Sequence, residues 1–220
     1  MLIYGEKNVD IIDSSVYTTI IGIYGNYTNF TNTIINTTAS ACLTNLGSGK
    51  GLEAQMTDRA FCSSGGSSSG YGTLSSEHCA KVLSYFMFLS HSFPYLSKGP
   101  YISTGSGGYG YREGLENQGA GGGIIFIFSS TQVYTYNTQF LVEGGQVSGD
   151  YFVSAGSGGT LFLYTINLVG SNTTFSAAGG ASYNNNGSGA GGIVKISFLN
   201  SEFVVVESMW VNVSSGYQPQ

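Results

Sequence analysis

Charged side chains are the scarcest class in this 220-residue chain. Asp, Glu, Lys and Arg make up 9% of it, where about 25% is usual for a soluble domain. Seven Lys and Arg stand against twelve Asp and Glu, a net charge of −5. Scattered cations so few cannot neutralise a phosphate backbone, so the electrostatic footprint of a nucleic-acid partner is missing. The same shortage argues against an ordinary cytosolic enzyme. Proline occurs three times, tryptophan once, and cysteine three times, at Cys42, Cys62 and Cys79. Long apolar runs are missing too. The most apolar stretch, Val82–Leu89 (VLSYFMFL), is too short to be a transmembrane segment. Glu6, Lys7 and Asp10 stand where a signal peptide would carry its apolar core. The first residues read instead like the middle of a strand region in a piece of a longer chain.

What the chain has in abundance is glycine and serine, 34 and 31 residues. Such a composition borders on low-complexity disorder. Leu, Ile, Val and Phe together supply 56 residues, enough to bury one core. These apolar residues fall in β-branched and aromatic runs bounded by Gly and Asn, which is a strand signal. The runs predict strands at Asp10–Asp13, Val16–Tyr24, Thr33–Thr37, Ile124–Ser129, Gln139–Glu143, Tyr151–Ala155, Thr160–Leu168, Thr173–Ala178, Ile193–Leu199 and Glu202–Glu207. Only Glu77–Leu89 has the make-up of a short helix, and a buried loop fits it equally.

A repeat organises the C-terminal half. Gly121–Gly123 precede IIFIF, Gly158-Gly159 precede TLFLY, and Gly191-Gly192 precede IVKISF. Ile124 to Thr160 is 36 residues and Thr160 to Ile193 is 33. Asn137–Gly145 aligns with Asn172–Gly180 at an offset of 35. Each unit reads as Gly run, strand, polar turn, second strand, Gly-Gly and loop. Strands this short bury little alone, whereas stacking equivalent strands gives each one neighbours on both sides. The fold class expected is all-β, a right-handed parallel β-helix with long Gly-rich loops. An antiparallel β-sandwich is the alternative, although it favours turns every 8–12 residues. One module is expected over 1–220: N-terminal strands to 45, a Gly/Ser-rich insert over 46–110, repeat coils over 111–213 and a tail over 214–220. Ile124–Phe128, Thr160–Tyr164 and Ile193–Phe198 should stack in register as parallel rungs.

The segments GSGG (Gly105–Gly108), GAGGGIIFIF, GTLFLYTINLVGSNTTFSAAGG and GSGAGGIVKI resemble the Gly-rich repeats of large secreted or surface proteins of ciliates, other protists and plants. The stretches Cys42–Gly51 and Cys62–Gly72 resemble the segment that precedes those repeats, with Ser67-Ser68 where the family usually has a His. The resemblance covers roughly residues 40 to 200. It implies a parallel β-helix and a secreted or surface setting, and it brings no catalytic site.

Motifs for chemistry are weak. Gly105–Gly110 and Gly187–Gly192 both satisfy GxGxxG, but neither precedes a helix pattern as a dinucleotide site requires. Gly66–Gly70 spells GxSxG without the strand-turn-helix setting of a nucleophile elbow, with His78 and His91 as the possible bases. Gly47–Lys50 lacks the spacing of a phosphate loop, and Gly144–Asp150 departs from calcium-binding β-roll repeats. Cys42, Cys62, Cys79 and His78 are too widely spaced for a zinc site. No cofactor or metal is expected. A polysaccharide lyase or hydrolase, the enzymatic alternative, needs clustered acids. Arg112, Glu113 and Glu116 are the compact charged group of the C-terminal half, and a solvated loop explains them.

Surface chemistry is better represented. Asn-X-Ser/Thr occurs at Asn26, Asn29, Asn36, Asn172, Asn186 and Asn212, about twice the chance frequency for this composition. Asn26, Asn29 and Asn36 are expected to form one glycan-bearing face, and the other three a second. N-linked glycans would hydrate a surface poor in charge. Of three possible single disulfides, Cys62–Cys79 is preferred because it closes the most flexible loop, leaving Cys42 over. Both ends of the strand region are apolar, and no capping helix is visible at either. Open strand edges invite pairing. Val9–Tyr24, with Val9, Ile11, Tyr17 and Ile20, is therefore expected to meet Phe203–Val213, with Phe203, Val205 and Trp210, of another copy. The reading as a whole is a secreted or cell-surface glycoprotein that forms a head-to-tail homopolymer. A carbohydrate-binding or polysaccharide-degrading β-helix is the second class.

Overall fold

The structure is a computed structural model, described over residues 1–43, 46, 104–108, 119–147, 154–182, 187–199 and 210–214, and as backbone alone over 53–55, 61–63, 204–205 and 209. Along the chain run β1 (Leu2–Tyr4), β2 (Asn8–Ile12), β3 (Ser15–Tyr17), β4 (Ile20–Thr31), β5 (Ile34–Asn36), β6 (Glu53–Gln55) and β7 (Phe61–Ser63). They are followed by β8 (Ile124–Leu141), β9 (Thr160–Thr165), β10 (Asn167–Ser176), β11 (Ile193–Phe198), β12 (Val204–Val205) and β13 (Met209–Asn212). The described residues contain no helix. Eleven strands form one curled sheet, parallel at every pairing, and β6 with β7 forms a separate antiparallel pair. An antiparallel sandwich is thereby excluded for the main sheet.

Pairing divides the sheet into three ladders. The first joins β1, the front of β4, the front of β8, β9 and β11, through pairs such as Ile3–Ile23, Ile23–Ile127, Ile127–Leu163 and Leu163–Ile196. The second joins β2, the back of β4, the middle of β8, β10 and β12. The third joins β3, β5, the end of β8, the end of β10 and β13. Among the described residues the chain passes through the three ladders in the same order five times, and each pass is one tier of the curled sheet. Ile124, Thr160 and Ile193 align in register, as the Gly-run spacing predicts.

Three parts of the strand pattern differ from the sequence reading; the first is Tyr151–Ala155, where Ser154 and Ala155 belong to no strand and residues 151–153 lie outside the described residues. The middle of β8 is strand where the repeat unit reads as a polar turn, and the back of β4 is strand where none is expected: their outward residues are Tyr27, Asn29, Gln132 and Tyr134, while Thr28, Phe30, Val133 and Thr135 are buried. Inward threonines hid that alternation. Val16–Tyr24 is two strands, because the chain steps from β3 to β4 at Thr18-Thr19.

The core lies inside the three ladders. Ile21, Ile23, Ile125, Ile127, Leu161 and Leu163 fill it from the first, Val9, Ile11, Phe30, Val133 and Leu168 from the second, and Ile35, Phe140 and Phe175 from the third. Phe140 stacks on Phe175 at 5.2 Å and 7°, and takes Phe30 edge-on at 5.0 Å.

The Gly-rich runs build a second packed body. They form extended legs at 104–108, 119–123, 142–147, 154–159, 177–182 and 187–192. Successive N–H groups of one leg point to different neighbours: Gly156 to Gly145, Ser157 to Ser106, Gly158 to Ala190, and Gly159 back to Val142. That three-residue period without internal bonds is polyproline-II backbone. The glycines are there for proximity. A Cβ on Gly159 would lie 1.9 Å from the Gly123 carbonyl oxygen, and one on Gly158 2.1 Å from that of Ala177. A left-handed backbone, the other use of glycine at corners, occurs among the described glycines only at Gly119.

Candidate functional site

The corner between the second and third ladders is made by asparagine and aspartate. Asp13, Asn32, Asn137 and Asn172 hold φ of 47–49°, a region open to Asn and Asp because their short side chains bond locally. Here they bond to one another. Asn32 Nδ2 donates to Asp13 Oδ1 at 2.8 Å, Asn137 Nδ2 to Asn32 Oδ1 at 3.0 Å, and Asn172 Nδ2 to Asn137 Oδ1 at 2.9 Å. The next residue inward is Thr33, Thr138 or Thr173, whose hydroxyl donates to the preceding tier: to Ile11 O, Phe30 O and Thr135 Oγ1. The recurring Asn-Thr pair was the signal for this corner in the sequence.

The corner between the first and second ladders is a bulge. Gly25 pairs with Ser129 and Tyr27 with Gln132, so β8 carries an extra residue there. Ser129 Oγ donates to Asn26 O and Gln132 O, and Ser130 Oγ donates to Asn26 Oδ1 at 2.7 Å. Outside the first ladder the rings form their own columns. Phe126 stacks on Phe162 at 5.0 Å and 6°, Phe128 on Tyr164 at 5.1 Å and 4°, and Lys195 Nζ lies 5.5 Å from the Phe162 ring centre. The runs IIFIF and TLFLY therefore have a half-exposed outer face as well as a buried inner one.

Among the described residues the sequon asparagines are spread over corners and ladders, and Asn26, Asn29 and Asn36 do not share the one face expected of them. Asn26 is exposed at the bulge, and Asn29 lies half-buried on the second ladder with Nδ2 donating to Asp10 Oδ1. Asn36 is on the third ladder, its Oδ1 accepting from Thr38 N. Asn172 ends the corner column, and Asn212 is exposed in β13. Asn186 lies outside the described residues, as do Cys79 and the side chain of Cys62. Cys42 is a free, half-buried thiol 3.7 Å from Thr104 Oγ1.

The residues expected to make the joint between copies divide. Val9 and Ile11 are buried in their own tier and offer no surface. Ile20 begins β4, which is paired on both sides, so the terminal tier is β1–β3 and stops at Tyr17. Tyr17 is exposed on that tier, and Leu2 and Tyr4 join it. At the other end Trp210 is exposed in β13, Val205 lies in β12, and Phe203 is outside the described residues. Val211 occupies the inward column of Phe175 yet is 57% exposed, because no described tier lies beyond it. Among the described residues every strand of the first and last tiers is paired along one edge only.

Gly187–Gly192 is a leg of the polyproline-II body that leads into β11 and opens no helix, while Gly105–Gly108 is a leg whose motif ends at Tyr109 and Gly110, outside the described residues. The GxSxG run, His78, His91 and the Arg112–Glu116 group lie outside the described residues. Among the described residues no group of three or more His, Cys, Asp or Glu could hold a metal, and no helix is long and apolar enough to cross a membrane. No protein-family model, no curated protein and no solved structure matches the chain.

Proposed function

We propose that this chain is a module of a secreted, N-glycosylated structural protein, wound as a right-handed parallel β-solenoid whose copies join head to tail into an extracellular fibre or surface coat. One observation carries the reading: the first and last described tiers present unpaired strand edges on the same three ladders, in the same order. A copy displaced along the stack by one more tier, about 4.8 Å beyond the last, meets that edge with its own β1–β3. Contact between two different ends propagates as an open filament when the rotation does not close. Exposed apolar residues at both ends, Leu2, Tyr4 and Tyr17 against Trp210, Val211 and Val213, favour a dry joint. The resemblance of the Gly-rich runs to repeats of protist surface proteins supports the extracellular setting. Glycans at the exposed Asn26 and Asn212 would keep the flanks hydrated.

The test is electron microscopy and sedimentation of the full chain. Filaments with an axial repeat of about five tiers are expected, roughly 24 Å at the strand spacing. A monodisperse monomer at high concentration overturns the assembly reading. Intact mass before and after glycosidase treatment reports on the glycans, and an unchanged mass overturns N-glycosylation.

A further inference from the structure

We propose that the outer face of the second ladder carries a binding groove for a neutral hexopyranose. The groove has a volume of about 180 Å³ and is lined by Asn8, Asp10, Tyr27, Asn29, Gln132 and Tyr134, with Thr28 beneath. Register builds it. Asn8, Tyr27 and Gln132 form one outward row across β2, β4 and β8, and Asp10, Asn29 and Tyr134 form the next. The volume is below that of drug-sized pockets and suits a single ring.

The two tyrosines stand diagonally across β4 and β8, at 51% and 38% exposure, and make no ring contact with each other. Their availability contrasts with the first ladder, where Phe126 stacks on Phe162 and Phe128 on Tyr164, so that each ring has a face taken by its partner. A pyranose has an apolar C–H face for such a ring and a rim of hydroxyls that both donate and accept. The groove matches that rim. Asn29 Nδ2 donates to Asp10 Oδ1 at 3.1 Å, which leaves Oδ2 as an acceptor, and Asn29 Oδ1 accepts from Thr31 Oγ1 at 3.0 Å. The side-chain amides of Asn8 and Gln132 bond to none of the described residues, and each offers donors and an acceptor. No Lys or Arg lines the groove, and Asp10 repels an anion. A calcium ion needs six to eight oxygens, and one carboxylate is a poor start.

This groove is on the flank and does not depend on the joint between copies. The test uses the full chain produced without N-glycans, so that Asn29 is bare. Glucose, mannose, galactose, N-acetylglucosamine and their β-linked trimers are titrated by calorimetry and saturation-transfer NMR. At least one is expected to bind with a dissociation constant on the order of 1 mM, as suits a ring held from one side. Tyr134→Ala and Gln132→Ala should each weaken it about fivefold or more, roughly one kcal/mol by the standard conversion, while Tyr17→Ala on the third ladder leaves it unchanged. Absence of binding by every sugar at ~10 mM overturns the proposal. So does binding that survives Tyr134→Ala and Gln132→Ala with the fold intact by circular dichroism, or binding that appears only with added calcium. A monomeric chain that still binds sugar would overturn the fibre and leave the groove standing.

Discussion

A left-handed backbone costs an ordinary L-residue about 1–2 kcal/mol, and Asn137 meets that cost while holding the bonds that tie its tier to two others. Asn137→Ala should therefore lose the two side-chain bonds and incur the backbone strain, roughly 2–4 kcal/mol together. Asn137→Gly removes the bonds but not the conformational fit, for about 1–2 kcal/mol. Denaturant midpoints should place Gly above Ala, the reverse of their usual order in strands. Thr28 sits on the inward face between Val9 and Val133, fully buried, and its hydroxyl has no partner among the described residues. Thr28→Val keeps the shape and removes an unpaired polar group, so a stabilisation of about 1–2 kcal/mol is expected. Because Thr28 also completes the Asn26 sequon, the comparison is made on chain free of N-glycans. In the Gly-rich body the sign reverses. Gly159→Ala puts a methyl against the backbone of Gly122 and Gly123, which cannot swing away as a flexible side chain would, and should exceed the ~1–3 kcal/mol of ordinary overpacking. Ala190→Gly in a neighbouring leg should cost about 1 kcal/mol or less. Thermal melting and soluble yield separate them.

At the scale of strands, the repeat carried the most legible information. The alignment of Asn137–Gly145 with Asn172–Gly180 is the pairing of β8 with β10, Phe140 beside Phe175, and the Gly-run spacing is the stacking of β8, β9 and β11. The back of β4 was illegible because Tyr27, Thr28 and Asn29 alternate by burial and not by hydropathy. The groove of Asn8, Asp10, Tyr27 and Gln132 was hidden for the same reason, since register across three strands far apart in sequence assembles it. Glycine was visible in number, and the sequence allowed it two roles, positive φ at corners and close passage of backbone by backbone. A count cannot distinguish a corner that needs positive φ from a leg that needs proximity, and here proximity dominates. The packing is sharpest at Phe140, which touches Phe30 edge-on and Phe175 face-on. Phe140→Ala should cost about 3–5 kcal/mol, and Phe128→Ala on the outer column near 1 kcal/mol because its ring is already partly in water. Paired denaturation curves check the difference.

At the scale of the whole molecule, two packed bodies share one chain. The first tier returns to the second in twenty residues, as Leu2 pairs with Gly22, without a Gly-rich excursion. The second returns to the third only after 104, as Ile20 pairs with Ile124, and the last two returns need about 35, with polyproline-II legs among the additional residues. The legs are tied sideways to one another, while the ladders remain open along the stack at both described ends. The assembly proposed above would therefore grow through the ladders. Val211 is the most informative position, because its column is the core column of Ile35, Phe140 and Phe175, and solvent reaches it only at the end of that column. A further tier would bury it. Val211→Lys places a charge where that tier must sit, and the cost of burying an unpaired charge is larger than most joints can offset. The chain should fold as before, since the side chain is already exposed, but filaments should shorten or vanish in electron micrographs. Exposed residues at the joint are mostly apolar, so the unmodified filaments should persist in about 1 M salt, where surface ion pairs are screened. Filaments that dissolve in salt, or that form equally well with Val211→Lys, would mean that the copies meet through some other surface than the tier ends.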